Sequence, residues 1–148
     1  MVMRYAQLFF KSAGGTSCYA DCIIRLASKI TKTEPTLTYY ASCFEKGIDA
    51  GYIRFNQKNY LQGDNFFVEK PAEFLSLLTG KRFTVSHEPA SYRPKEGEWY
   101  VNFWAKTVQQ GKNGTGHFCL EDYDPLDKSV TRLSGLVYSR RVFREVRA

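Results

Sequence analysis

Two stretches decide the fold class: residues 16–31 read TSCYADCIIRLASKIT, and residues 99–105 read WYVNFWA. In the first stretch, apolar side chains recur every three or four residues, and the Thr-Ser pair at its start can cap a helix. This pattern predicts an amphipathic helix over residues 18–31. The second stretch is rich in aromatic residues, which favour strands. The chain therefore combines helix and strand.

The helical patterns gather in the first half of the chain and the strand patterns in the second. Two further helices are predicted, over residues 37–46, ending at Gly47, and over residues 71–80, where Pro71 suits the first turn. Strands are predicted over residues 82–86, 99–105, 117–122, 129–133 and 136–146, and residues 111–116 have the composition of a flexible loop. This order predicts an α+β fold with helices packed on one face of a mainly antiparallel sheet.

Length and composition place the chain among single-domain proteins. The 148 residues are 43% hydrophobic and 16% aromatic, which is enough for one core, and repeats and long linkers are absent. We therefore expect one domain over residues 1–148. A secretory signal and a membrane-spanning stretch are also absent, which predicts a cytoplasmic protein without membrane contact. In that compartment its four cysteines would be reduced thiols.

The formal net charge of +6 raises the question of an acidic partner. The basic residues are scattered except near the end, where four arginines alternate with apolar residues: Arg140, Arg141, Arg144 and Arg147. This alternation favours the solvated side of an edge strand guarded by cations. Nucleic-acid binding is accordingly a minor alternative.

One cysteine and one histidine lie where catalysis would need them. Cys18 opens the first predicted helix, where unpaired N–H groups and the helix dipole stabilise a thiolate. Cys22 lies one turn deeper and is expected in the core. Of the two histidines, His87 and His117, the latter opens a predicted strand and is the better candidate for a general base.

A third group should orient the imidazole, and a fourth should stabilise an oxyanion. If residues 120 and 121 form a tight hairpin, Asp124 pairs with His117, whereas strand alternation puts Asp122 on the opposite face. A one-residue slip would reverse that choice, and an ordinary Asp-Pro turn is an equal alternative. The backbone N–H of Cys18 and the side chain of Gln7 are the candidate oxyanion donors.

Three short motifs together resemble the papain-like cysteine peptidases, most closely the bacteriocin-processing branch: residues 17–19 at a helix start, Gly116-His117-Phe118 on a strand, and residues 123–126. More narrowly, the chain is similar to a small family of bacterial and phage-encoded proteins with this core. The resemblance implies a papain-like fold in which Cys18 is the nucleophile, His117 the base and Asp124 the orienting carboxylate. Two features depart from the pattern, since Ser17 replaces the usual glycine and Gln7 precedes Cys18 by 11 residues, a long gap.

The sequence thus predicts a cysteine hydrolase of the peptidase or amidase type that acts through a thioester and needs no cofactor. The peptide or amide substrate and the oligomeric state stay open. One alternative is a catalytically inactive adaptor with the same fold, binding a protein or a nucleic acid. Another is a zinc site built from the four residues Cys18, Cys22, His117 and Cys119.

Overall fold

A computed structural model describes residues 18–56, 66–114, 116–120 and 136–147. The chain forms two compact units, Met1–Arg82 and Phe83–Ala148. The helices predicted in the first half all lie in the first unit, and every described strand lies in the second. The α+β class is therefore confirmed, while the papain-like fold and the single domain over residues 1–148 stay predictions.

The described residues of the first unit form three helices: α1 spans Cys18–Thr31, α2 spans Leu37–Asp49 and α3 spans Pro71–Thr79. Helix α1 contacts both of the others. Most of its predicted apolar stripe is buried, with Ile23 and Ala27 fully enclosed. The hydroxyl of Thr36 accepts a hydrogen bond from the backbone N–H of Tyr39 at 3.1 Å and caps α2.

Helix α2 does not end at Gly47 as predicted but continues to Asp49. Gly47 serves packing instead, because a Cβ atom there would lie 2.6 Å from Ile53 and 2.7 Å from the Phe74 ring. Ile53 in turn forms an isolated antiparallel bridge with Val68. The glycine therefore lets α2 approach α3 and this bridge closely. Gly80, by contrast, ends α3 in the left-handed conformation, as predicted.

Among its described residues, the second unit has a four-stranded antiparallel sheet: β1 spans Phe83–Pro89, β2 Glu98–Ala105, β3 His117–Cys119 and β4 Leu136–Glu145. Four of the five predicted strands are thus found, and the fifth, over residues 129–133, lies outside the described residues. The spatial order of the strands is β1-β4-β2-β3.

The prediction of an edge strand for the C-terminal arginines is wrong. Strand β4 lies inside the sheet, between β1 and β2, and Arg140, Arg141 and Arg144 are all half-buried. A sequence alternation of cations and apolar residues looks the same for an edge strand and for an interior strand whose cations contact aromatic rings. Here Arg141 lies 5.8 Å from the Phe103 ring centroid and 5.4 Å from that of Phe118.

The predicted flexible loop over residues 111–116 is also partly wrong, because a short helix, α4, spans Val108–Lys112. The Thr107 hydroxyl caps it by accepting from the backbone N–H of Gln110 at 3.1 Å. Gly111 belongs to this helix, and a Cβ atom there would overlap the Tyr138 ring. The residue that suggested a loop is therefore a packing glycine as well.

Among the described residues, no helix has both the length and the apolar character needed to cross a bilayer.

Candidate functional site

Cys18 is the first residue of α1, as the sequence predicted, and its side chain is half-buried. The other thiols described in the first unit are enclosed, with Cys22 5% exposed and Cys43 3% exposed. Asp21 adds an acidic group to the first turn. Of the three thiols described in this unit, Cys18 is therefore the one that an electrophile reaches most readily.

Cys43 shows what burial does to a thiol in this unit. Burial raises the pKa of Cys43 to about 11, although the neighbouring Tyr39 hydroxyl and Lys46 favour the thiolate. Burial likewise raises the pKa of Tyr39 to about 12, with Cys43 the next cause. Cys43 is therefore protonated at neutral pH and acts as a core residue.

His117 is the first residue of β3 and lies directly opposite Trp104 of β2. The preceding Gly116 permits this pairing, because a Cβ atom there would overlap the Trp104 carbonyl oxygen and lie 2.8 Å from the Phe103 ring. His117 itself is half-buried. Phe118 points to the opposite face of the sheet, where its ring centroid lies 4.8 Å from that of Phe103. The alternation predicted for this strand is confirmed at these two residues.

His87, the other histidine, lies on the opposite face of the sheet from His117. It is exposed on β1 and faces Arg141 of β4 across the strands. Partial burial, followed by the positive charge of Arg141, lowers the pKa of His87 below its ordinary value of 6.5. The two histidines therefore lie in different environments, on opposite faces of the sheet.

The face of the sheet that carries His117 also holds polar residues that sequence reasoning missed. Asn102 and Trp104 of β2 lie on it, and Arg140 of β4 lies directly opposite Asn102. Asn102 is fully enclosed, and the Arg140 guanidinium lies 4.9 Å from the centroid of the Tyr100 ring. The signal available in the sequence was an asparagine inside an otherwise apolar run.

Farther along the same face, Arg144 gathers several polar partners. It donates to Glu98 through Nε, to the Ser86 hydroxyl at 2.6 Å and to the Tyr92 hydroxyl at 2.9 Å. The backbone N–H of Lys95 at 2.8 Å and the Tyr92 hydroxyl at 2.7 Å also donate to Glu98. These hydrogen bonds, that of Lys95 first, lower the pKa of Glu98 below its ordinary value.

Glu88, the other carboxylate on this face, belongs to the same network. It accepts from the Ser86 hydroxyl at 2.7 Å and lies 3.5 Å from Arg144. Although Glu88 also faces Arg140 across the strands, no ion pair joins the two in the described structure. Arg144 therefore engages both carboxylates.

Two predicted site residues, Gln7 and Asp124, lie outside the described residues, as does the alternative Asp122, so their roles stay predictions. Cys18 belongs to the first unit and His117 to the second, and their pairing also stays a prediction. Within the parts of the chain that the structure describes, no three His, Cys, Asp or Glu side chains are grouped to hold a metal ion.

The chain belongs to the family described as "Protein of unknown function, DUF261", whose model matches residues 4–145. The match spans every helix and strand described above. No curated protein and no solved structure matches the chain.

Proposed function

We propose that this member of the DUF261 family is a papain-like cysteine hydrolase of the peptidase or amidase type. Cys18 is the nucleophile, His117 the general base and Asp124 the carboxylate that orients the imidazole. Gln7 and the backbone N–H of Cys18 supply the oxyanion donors. The observation that carries the proposal is the half-buried thiol at the start of a 14-residue helix, in a unit whose other two described thiols are enclosed.

The helix start supports Cys18 as nucleophile on electrostatic grounds. The first turn of a helix presents backbone N–H groups with no partner inside the helix, and the helix dipole adds positive potential there. Both favour a thiolate, which is the reactive form of cysteine. Cys22, one turn further along and enclosed, lacks this advantage.

The base is supported by how firmly its backbone is held. His117 is paired with β2, and Gly116 brings the two strands together where a larger residue would not fit. A general base on a regular strand is positioned more precisely than one on a loop.

In the proposed reaction, the Cys18 proton passes to His117 and the thiolate sulfur attacks an amide carbonyl carbon. The tetrahedral oxyanion collapses, the C–N bond breaks, and the His117 imidazolium protonates the departing amine. Water then gives a proton to His117 and attacks the thioester, which releases the carboxylic acid and returns the thiol. This route uses side chains and water alone, so it needs no cofactor.

Thiol labelling tests the proposal. We expect iodoacetamide to alkylate Cys18 fastest near pH 6, and peptide mapping by mass spectrometry identifies the modified residue. His117→Ala should lower the rate of Cys18 alkylation, because no imidazole is left to accept the thiol proton. Cys22→Ala, the matched control, should leave that rate unchanged. A faster reaction at Cys22, Cys43 or Cys119 would contradict the choice of nucleophile. An unreactive Cys18 would favour the inactive adaptor.

A pair of aspartate substitutions tests the orienting group. Asp124→Asn should lower the reactivity of Cys18 and leave the fold intact, and in the serine-protease template such a loss costs up to about 10⁴-fold in turnover. Asp122→Asn should change little. If the two variants behave the other way round, Asp122 is the third residue.

A further inference from the structure

Arg140 is a cation without a carboxylate partner in the described structure. It lies on the interior strand β4, half-buried, and its Nε atom is enclosed with no hydrogen-bond acceptor among the described residues. The neighbouring carboxylates Glu88 and Glu98 both interact with Arg144. A partly desolvated guanidinium is costly unless an anion or acceptor completes it.

The guanidinium is nevertheless held in a defined position. It lies over the Tyr100 ring at 4.9 Å from the centroid, which restrains its plane by a cation–π contact. A restrained, planar guanidinium is the group that binds carboxylates in a bidentate manner. Arg140 is thus preorganised for an acceptor that the described residues do not supply.

Trp104 provides a second enclosed donor on the same face. The residue is 5% exposed, and its indole Nε1–H has no hydrogen-bond acceptor among the described residues. An indole N–H can only donate, so its partner must be an oxygen acceptor. Buried donors are satisfied in most proteins, and an exception calls for a ligand or a bound water.

The sheet register sets the spacing of these donors relative to His117. Arg140 lies opposite Asn102, and Trp104, two residues further along β2, lies opposite His117. Two residues along a strand span about 7 Å, the length of about two residues of an extended peptide. A ligand carboxylate at Arg140 would therefore place a carbonyl one or two residues away near Trp104 and His117.

We propose that this face of the sheet is a carboxylate-recognition site, in which Arg140 binds the carboxylate of the substrate and the Trp104 indole N–H binds a neighbouring carbonyl oxygen. The inference deepens the proposed function, on which it rests, by naming the substrate class: amides with a free carboxylate one or two residues from the scissile bond. The carboxylate is either a peptide C-terminus or an acidic side chain.

Binding to the Cys18→Ala variant tests the site without turnover. Three probes separate the carboxylate sources: acetyl-Ala-Ala with a free C-terminus, its C-terminal amide, and acetyl-Ala-Glu amide, which carries only a side-chain carboxylate. The readout is the indole N–H signal in ¹H–¹⁵N NMR spectra. The chain has two tryptophans, and Trp99 on the opposite face of β2 is an internal control.

We expect at least one carboxylate probe to shift the Trp104 signal and not the Trp99 signal, and the neutral amide to bind at least tenfold more weakly. Arg140→Gln should weaken carboxylate binding at least tenfold, and Arg140→Lys should weaken it less. Arg147→Gln is the charge-matched control, because that side chain is 82% exposed. It should leave binding unchanged.

Equal binding of acid and amide, a Trp104 signal that no probe shifts, or an Arg140→Gln variant that binds like the parent would each overturn the site. If Arg140→Gln does not fold, Arg140→Lys and the comparison of the acid with the amide still test the carboxylate site. Because these measurements use no thiol, they can fail while Cys18 remains reactive, and they can succeed if Cys18 proves inert. The two proposals therefore fail separately.

Discussion

Replacing Gly116 by alanine should weaken the second unit through one close contact. A Cβ atom on residue 116 would overlap the Trp104 carbonyl oxygen and lie 2.8 Å and 3.1 Å from two atoms of the Phe103 ring. The carbonyl belongs to the backbone of β2, which pairs on both sides, so it cannot rotate away as a side chain would. Relief requires β3 to move away from β2.

The expected cost follows from the kind of contact. Overpacking of a well-packed interior costs about 1–3 kcal/mol, and a fixed backbone atom places Gly116→Ala near the upper value. A loss of about 3 kcal/mol lowers the folding equilibrium constant roughly a hundredfold. Urea denaturation followed by tryptophan fluorescence measures this directly, because both tryptophans lie on β2.

Gly114→Asn is the matched control for the same connection. Gly114 has φ +76°, nothing lies within 4 Å of the position that a Cβ atom would take there, and asparagine tolerates the left-handed conformation. We expect a loss below about 1 kcal/mol. A Gly116→Ala protein within about 0.5 kcal/mol of the parent would refute the packing argument, and an equal loss in both variants would assign the effect to loop conformation instead.

Two further outcomes are expected from the described contacts. Gly47→Ala should gain about 1 kcal/mol in helix propensity but lose about 1–3 kcal/mol through overpacking against Ile53 and Phe74. Thermal denaturation should therefore show a net loss of stability. A stabilised variant would show that the two side chains can shift. The pKa of His87 should lie below 6.5 by NMR titration, rise in Arg141→Gln and still stay below 6.5, because burial is its largest cause. Since the unfolded chain binds this proton at higher pH than the folded one, the contribution of His87 to stability is complete above about pH 6.5 and is lost as the pH falls toward the folded-state pKa.

Periodicity predicted the helices and strands well because each pattern reflects which side of an element is buried. The start of α1 at Cys18 and of β3 at His117 followed from this. Glycines were harder to interpret, since Gly47 and Gly111 suggested chain breaks and instead make room for neighbouring side chains. A sequence shows that a side chain is missing, but only the fold shows whether another group occupies the space.

The order of the strands in the sheet could not be predicted from the sequence either. The polar face with Asn102 and Arg140 exists because β4 lies beside β2, and no local pattern specifies that adjacency. The arginines of β4 were therefore assigned to a solvated edge. Cys18 and His117 could be chosen from local context alone, whereas Arg140 required the register.

The position of β4 has a consequence for the order in which the chain can fold during synthesis. Of the four strands it is translated last, yet it separates β1 from β2, which do not pair with each other. Before residue 136 is translated, β1 lacks the strand with which it pairs in the described structure, whereas β2 and β3 can already pair. The nascent second unit therefore exposes unpaired strand edges until β4 emerges, a state that favours chaperone binding or aggregation. A ribosome-stalled chain ending near residue 135 should remain protease-sensitive over β1.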